Sequence, residues 1–250
     1  MKIIAPEKIK IKFILAVSLF SIFAFLAAGT RFVVKNAAVD AVSDSRGFQT
    51  VIIDAGHGGP DGGTSADDGT LEKDLNLQIA KKLNEILISM GVKTIMVRNE
   101  DISIHDESAK TIRQKKVSDI KNRLALMKKT EDAIFVSIHQ NHFSSSKYSG
   151  TQVFYSKNNP CSRVLADSIR LPVISYLQPD NTREIKPSGT DIYLLYHAQI
   201  PAVMVECGFL SNKPEAEKLK DEEYQRKIAF LIALGIVDYF KSTEEKQDGR

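Results

Sequence analysis

The sequence predicts an α/β domain in which helices cover both faces of a sheet. Three observations lead there. Val51 to Ile53, Ala133 to Ile138 and Ala202 to Val205 are short apolar runs rich in β-branched residues, as expected of strands buried on both faces. Segments with apolar residues at helical spacing fall between and after these runs, which is the alternation that builds a layered sheet. A hydrophobic fraction of 43% supplies a sizeable core.

Residues 1–12 are basic, and Phe13 to Ala28 is an apolar run of 16 residues broken only by Ser18 and Ser21. As a helix it spans about 24 Å, somewhat short of a bilayer core of roughly 30 Å. Residues 1–29 therefore read as a signal peptide, with Ala27-Ala-Gly29 at the cleavage site, or as an N-terminal membrane anchor. The lysines before the run orient the N-terminus inward and the domain outward. No lipobox cysteine follows, which speaks against lipid anchoring. Residues 30–48 are mixed, small and polar, and read as a linker.

The main domain is expected over residues 49–240. Its first strand runs into Gly56, Gly58 and Gly59, which permit a tight turn. A Gly- and Asp-rich loop, Pro60 to Thr70, follows. Glu72 opens a helix with the stripe Leu75, Ile79, Leu83, Ile86, Leu87 and Met90, closed by Gly91. Val92 to Val97 is the next strand. Asp101 to Lys116 is charged and without pattern, and Val117, Ile120, Leu124 and Met127 mark a second amphipathic helix. The strand ending in His139 comes next, then a polar loop over Asn141 to Ser149 and a strand over Gly150 to Tyr155. Pro160 suits the first turn of a helix reaching about Arg170, with Pro172 ending or kinking it. Pro179 to Gly189 reads as a polar loop, Thr190 to Tyr196 as a short strand and Ala202 to Glu206 as a firm one. Asn212 is an N-cap with Glu215 three residues later. The last helix carries Tyr224, Ile228, Leu231, Ile232, Ile236 and Tyr239, and residues 241–250 form a charged tail expected to fray.

The formal net charge is +3. Lys2, Lys8, Lys10 and Lys12 against Glu7 account for all of it, so the globular part is balanced. No basic surface for nucleic acid is implied. Cys161 and Cys207 form no CxxC and no disulfide framework, so a metal reading rests on His and Glu. The Lys/Arg-rich stretch 110–129 reads as a solvated face. No internal repeat is present, which argues against wall-binding repeat modules.

Four side chains are candidates for chemistry. His57 stands just past the carboxyl end of the first strand, where α/β sheets usually place their sites. Glu72 starts a helix, His139 ends a strand and Glu206 ends another. Two imidazoles and one carboxylate are a common catalytic zinc set with a position left for water, and a second carboxylate is then available as a base. Taken singly, each has a plainer explanation: a turn histidine, a first-turn acid favoured by the helix dipole, a polar strand end. His142, three residues past His139, reads as a loop histidine at the cleft rim. His197 reads as structural or substrate-contacting, and His105 has no assigned role.

Four ordered motifs raise these residues together. Ile53-Asp-Ala-Gly-His-Gly-Gly59, Glu72 in Leu71-Glu-Lys-Asp-Leu-Asn76, Ser137-Ile-His-Gln-Asn141 and Pro201-Ala-Val-Met-Val-Glu-Cys-Gly-Phe-Leu-Ser-Asn212 resemble the zinc-dependent N-acetylmuramoyl-L-alanine amidases of family 3. The resemblance covers about residues 49 to 240. It implies a single domain with a central, largely parallel six-stranded sheet. It implies Zn2+ held by His57, Glu72 and His139, with Glu206 as catalytic base and with Asn141 and His142 near substrate. It implies peptidoglycan as substrate, cut between the N-acetylmuramic acid lactyl group and L-alanine. A short chain without wall-binding repeats is most similar to the spore-cortex, germination-specific type, in which the cut prepares muramic-δ-lactam formation. The alternatives are a vegetative cell-wall amidase or autolysin, another exported zinc peptidase, and a non-catalytic wall-binding activator module. Some members of the family carry an inserted helix that covers the site, and no segment here is left over for one. Restraint is therefore expected from membrane attachment, timed expression, or an envelope or spore protein that regulates activity. The expected location is the cell envelope, with the spore cortex compartment as its special case.

Overall fold

The computed structural model describes residues 50–130 and 132–248, with side chains described to residue 243. The expected signal peptide or anchor over 1–29 and the linker over 30–48 lie outside the described residues. Among the described residues no helix is long and apolar enough to cross a membrane.

Six strands form one sheet: β1 (Thr50–Ala55), β2 (Thr94–Met96), β3 (Ala133–Asn141), β4 (Gln152–Tyr155), β5 (Lys186–Pro187) and β6 (Ala202–Phe209). Their order is β2-β1-β3-β6-β4-β5. All neighbouring pairs are parallel except β4 with β6, which is antiparallel. The largely parallel six-stranded sheet expected from the motifs is thus present.

Alternation along the strands sorts their side chains. Val51, Ile53, Ile134, Val136, Val203 and Val205 face one way, into the larger core. Three helices cover that face. From α1 (Glu72–Ser89) come Leu75, Ile79, Leu83 and Leu87; from α3 (Cys161–Tyr176) come Leu165, Ala166 and Ile169; from α6 (Glu222–Asp248) come Ile228, Ile232 and Ile236. Ile52, Phe135 and Ala202 face the other way, against Leu124 and Met127 of α2 (Ile112–Lys129) and Leu194 and Leu195 of α4 (Tyr193–His197). Toward the carboxyl ends of the strands this second face turns polar, with Asp54, Ser137, His139 and Glu206 continuing its side of β1, β3 and β6.

Several local expectations change. Thr190 to Tyr196, read as a strand, contains helix α4 instead, because Leu194 and Leu195 are buried together beneath the second face. The loop Pro179 to Gly189 contributes the edge strand β5. Helix α3 runs through Pro172 to Tyr176 rather than stopping near Arg170. A helix-interior proline removes a backbone bond, and the burial of Leu165, Ile169 and Val173 along that helix offsets it. The expected final helix is two: α5 (Lys213–Lys220), capped by Asn212 accepting from Glu215 N, and α6, with Asp221 between them. Helix α6 extends through Lys241 to Asp248 among the described residues. Strands β3 and β6 also continue past His139 and Glu206, with a register shift between His139 and Asn141.

Candidate metal centre

The turn after β1 is built around one imidazole. His57 has a positive φ of 62°, a conformation that a side chain other than glycine rarely adopts. Its ring Nδ1 donates to Asp61 Oδ2 at 2.9 Å, and Nε2 lies 3.2 Å from Glu72 Oε1. Two buried guanidiniums hold the backbone behind it. Arg98 donates to the carbonyls of Ala55 (2.9 Å), Gly56 (3.0 Å) and Lys73 (2.8 Å). Arg123 pairs with Asp54 and Asp119 and donates to the carbonyls of Ala55 (3.0 Å) and His57 (2.7 Å). Arg123 therefore departs from the solvated face expected of residues 110–129, since it is only 3% exposed.

Glu72 enters from α1. That helix has no side-chain cap; its first N–H groups donate to the carbonyls of Thr64 and Gly62 in the preceding loop. The loop in turn donates Thr64 N to Glu72 Oε2 at 2.9 Å. On the other side Asn76 Nδ2 and Gln140 N each reach Glu72 Oε1 at 3.2 Å, and His139 Nδ1 donates to it at 2.9 Å. Burial favours protonating Glu72, but the hydrogen bonds from His139 and His57 outweigh it and hold the carboxyl far below the usual carboxylate range. Burial likewise opposes charge on His57, yet its bonds to Asp61 and Glu72 push it up to about 9.

His139 leaves β3 over Gly56. A Cβ on Gly56 would stand 2.1 Å from His139 Nε2, so glycine is required there for contact rather than for its φ. The rings of His57 and His139 meet edge-on at 5.0 Å. One donor atom from each of His57, Glu72 and His139 lies within 4.8 Å of the others, a group that could hold a metal ion. Two imidazoles and a carboxylate suit zinc, and no other residue is needed to make three ligands.

Glu206 stands beside this group, in register with His139 across β3 and β6. Its Oε2 is buried without a hydrogen-bond partner among the described residues. Burial raises its pKa to about 7; the nearby Glu72 adds to that rise, while His139 and His57 oppose it. A carboxylate poised near neutrality with a free oxygen is equipped to take up and return a proton.

The other expected residues separate. Cys207 points to the opposite side of β6 and is fully buried in the larger core, away from the imidazoles. Asn141 lines a hollow beside β4. His142 is exposed and outside the metal-binding group. His197 packs against the rings of Tyr193 (4.4 Å) and Tyr196 (5.0 Å), a structural setting. Asp61, Arg98 and Arg123 were missed. For Arg123 the available signal was Asp119 one helical turn earlier, an acid–base pair at i,i+4 within a predicted helix.

Known proteins resemble this chain in sequence and in fold. The family model described as N-acetylmuramoyl-L-alanine amidase matches residues 51–238. The germination-specific N-acetylmuramoyl-L-alanine amidase of Bacillus subtilis (strain 168) is 34% identical over 194 residues, 76% of this chain and 79% of that protein. The CwlD amidase from Clostridioides difficile, solved in complex with the GerS lipoprotein, is 44% identical, with a TM-score of 0.75 over 78% of this chain and 99% of that one. The N-acetylmuramoyl-L-alanine amidase from Clostridium difficile 630 is 31% identical, with a TM-score of 0.67 over 78% of this chain and 98% of that one.

Proposed function

This chain belongs to the N-acetylmuramoyl-L-alanine amidase family, and from that premise we propose that it is a zinc-dependent peptidoglycan hydrolase acting in the spore cortex. The bond cleaved is the amide between the lactyl group of N-acetylmuramic acid and L-alanine. The observation that carries the reading is the convergence of His57, Glu72 and His139 within 4.8 Å, next to the unpartnered Oε2 of Glu206.

His57, Glu72 and His139 would hold the ion. Bound there, zinc supplies Lewis acidity and brings the pKa of water from 15.7 to about 7. Asp61 keeps Nδ1 of His57 engaged and so fixes the ring and directs Nε2 toward the site. Glu206 takes a proton from the attacking water and returns it to the departing alanine nitrogen. Such transfer typically contributes about 10²–10⁴ in rate. No serine or cysteine nucleophile is required. Cys207 is buried on the wrong face and Cys161 is not in the cluster.

The cortex role draws support from the germination-specific relative and from the CwlD amidase. The latter was solved with a lipoprotein, which favours control of this chain by a partner at the envelope. The basic N-terminus followed by the apolar run Phe13 to Ala28 favours export, with that run retained as an anchor. Product masses from zinc-supplemented digests of cortex and vegetative peptidoglycan test the whole reading. Free stem peptides beginning at L-alanine are the expected products. Peptides shortened at their carboxyl end would identify a carboxypeptidase instead. Equal release from both substrates would remove the cortex assignment. His139→Ala should abolish both zinc content and release.

A further inference from the structure

Two hollows open near Glu206, one lined by His139 and Met204 and the other by Gln152, its partner on β4. The first, of about 300 Å³, lies against β1, β3 and α2; in its wall Asp61 pairs with Lys116 and Asp119 with Arg123, and Asp191 stands on the rim. The second, of about 370 Å³, lies against β4 and β5, walled by Asn141, Tyr148, Gln152, Arg183, Lys186 and Phe209 among others. No acidic side chain contributes to this second wall among the described residues. The register explains how it adjoins the site. Gln152 of β4 pairs with Glu206, which pairs with His139, so all three share one face of the sheet.

Three features of the second hollow call for a ligand. Gln152 is 2% exposed, and its Nε2 donates to the carbonyl of Glu184, yet its Oε1 is buried with no partner among the described residues. A buried acceptor left unpaired is uncommon and marks a place where an incoming donor is accommodated. Arg183 is held rather than loose. Its Nε donates to Ser149 O at 2.7 Å, and its guanidinium lies 4.6 Å from the ring centroid of Phe209 and 5.8 Å from that of Tyr148. This stacking fixes the plane of the fork while leaving the guanidinium without an ion pair among the described residues, Glu215 acting on it only through space. Lys186, exposed beside it, also makes no ion pair among the described residues. A fixed guanidinium presents paired donors that match a carboxylate.

We propose that the hollow over β4 binds the peptide limb of the substrate as an acidic peptide. Gln152 Oε1 accepts an amide N–H close to the cleaved bond, and Arg183 takes a carboxylate one residue further along, with Lys186 adding charge. The uncharged sugar limb then lies toward α2, where Asp191 on the exposed rim can accept from hydroxyl groups. This orientation rests on the amidase reading for the identity of the cleaved bond and adds the direction in which the substrate crosses Glu206.

The test is binding without turnover. The full, zinc-loaded chain is titrated calorimetrically with L-alanyl-D-glutamate and with its analogue that lacks both carboxylates, L-alanyl-D-glutamine amide, the α-amino group being common to the two. The acidic peptide should bind about tenfold more tightly or better, given that its carboxylates meet a fixed guanidinium. Arg183→Met should bring the two peptides to within about twofold of each other, with Arg183→Lys between it and the parent. Gln152→Leu should weaken both peptides alike and keep the preference. Zinc content and thermal unfolding show which variants remain folded, and Lys186→Met, on the exposed rim, gives a further partial loss if Arg183→Met does not fold. Equal binding of the two peptides by the parent would overturn the proposal. So would a full preference retained in folded Arg183 variants, or no binding of either peptide to about 10 mM. Hydrolysis of peptidoglycan with no such preference would leave the amidase reading intact and remove only this one.

Discussion

Arg123 donates from Nη2 to the carbonyl of His57 at 2.7 Å, and so grips from behind a residue that holds a φ of 62°. The same guanidinium neutralises buried Asp54. One side chain from the smaller face thus secures both the end of β1 and the orientation of the first imidazole.

Arg123→Met removes both functions. It leaves Asp54 buried without its counter-charge, which typically costs about 3–5 kcal/mol. Urea unfolding of the metal-free chain measures that loss. Arg123→Lys keeps the charge but not the fork, so it should recover stability better than zinc affinity. Unchanged zinc affinity in both variants, by competition with a chelator, would show that the grip on His57 is immaterial.

Gly56→Ala tests contact rather than conformation. The added methyl needs space that His139 already occupies at 2.1 Å. The ring must move, at a stability cost of about 1–3 kcal/mol for overpacking. Zinc affinity should fall by about 10- to 100-fold, as when other groups that orient metal ligands are disturbed. A variant that binds zinc as the parent does contradicts the position of His139.

Glu206→Gln should keep fold and zinc while losing about 10²–10⁴ in turnover, because the amide cannot accept a proton at neutral pH. Metal content and rate must be compared on the same sample. Activity within a few-fold of the parent at matched metal content removes Glu206 from the proton-transfer role.

The pH dependence of zinc uptake follows from His57. In the metal-free chain its pKa is pushed up to about 9, so at neutral pH the ring is protonated and must release that proton to bind metal. Apparent zinc affinity should therefore rise about tenfold per pH unit from neutrality up to about pH 9 and then level off. The linked stability has the opposite sense. A raised histidine pKa contributes stability that is fully present below the unfolded value near 6.5, and the contribution disappears as pH rises through about 9. Proton release on zinc addition, measured in weak buffer at pH 7 and again above pH 9, checks both. Equal release at the two pH values would exclude a protonated His57.

Much of the fold was legible because its strongest signals are local. The short β-branched runs of β1, β3 and β6 fit strands buried on both faces, and the stripe from Leu75 to Met90 has the spacing of a helix. His57 and Glu72 lie at element boundaries, and His139 and Glu206 in the carboxyl-terminal halves of β3 and β6, so finding the elements brought attention to them. Their use of metal came from the motifs rather than from spacing. What escaped notice depends on tertiary partners. Leu194 and Leu195 look like strand residues until α2 and β3 are placed around them. Arg123 is one basic residue among many in α2, and only the fold reveals that it faces Asp54 of β1. Asp61 lies in a loop whose composition signals a turn, and its bond to His57 exists only because that turn closes. Gln152 lies in a strand found correctly, but its pairing with Glu206 depends on β4 running antiparallel, which no short-range pattern encodes.

The crowding around Glu72 has a consequence for metal affinity. Its two oxygens accept from Thr64, Asn76, Gln140 and His139, and His57 lies within reach. An ion held by Glu72 and the imidazoles would have to compete with these donors, so the contacts that keep the carboxyl in place also set part of what binding must overcome.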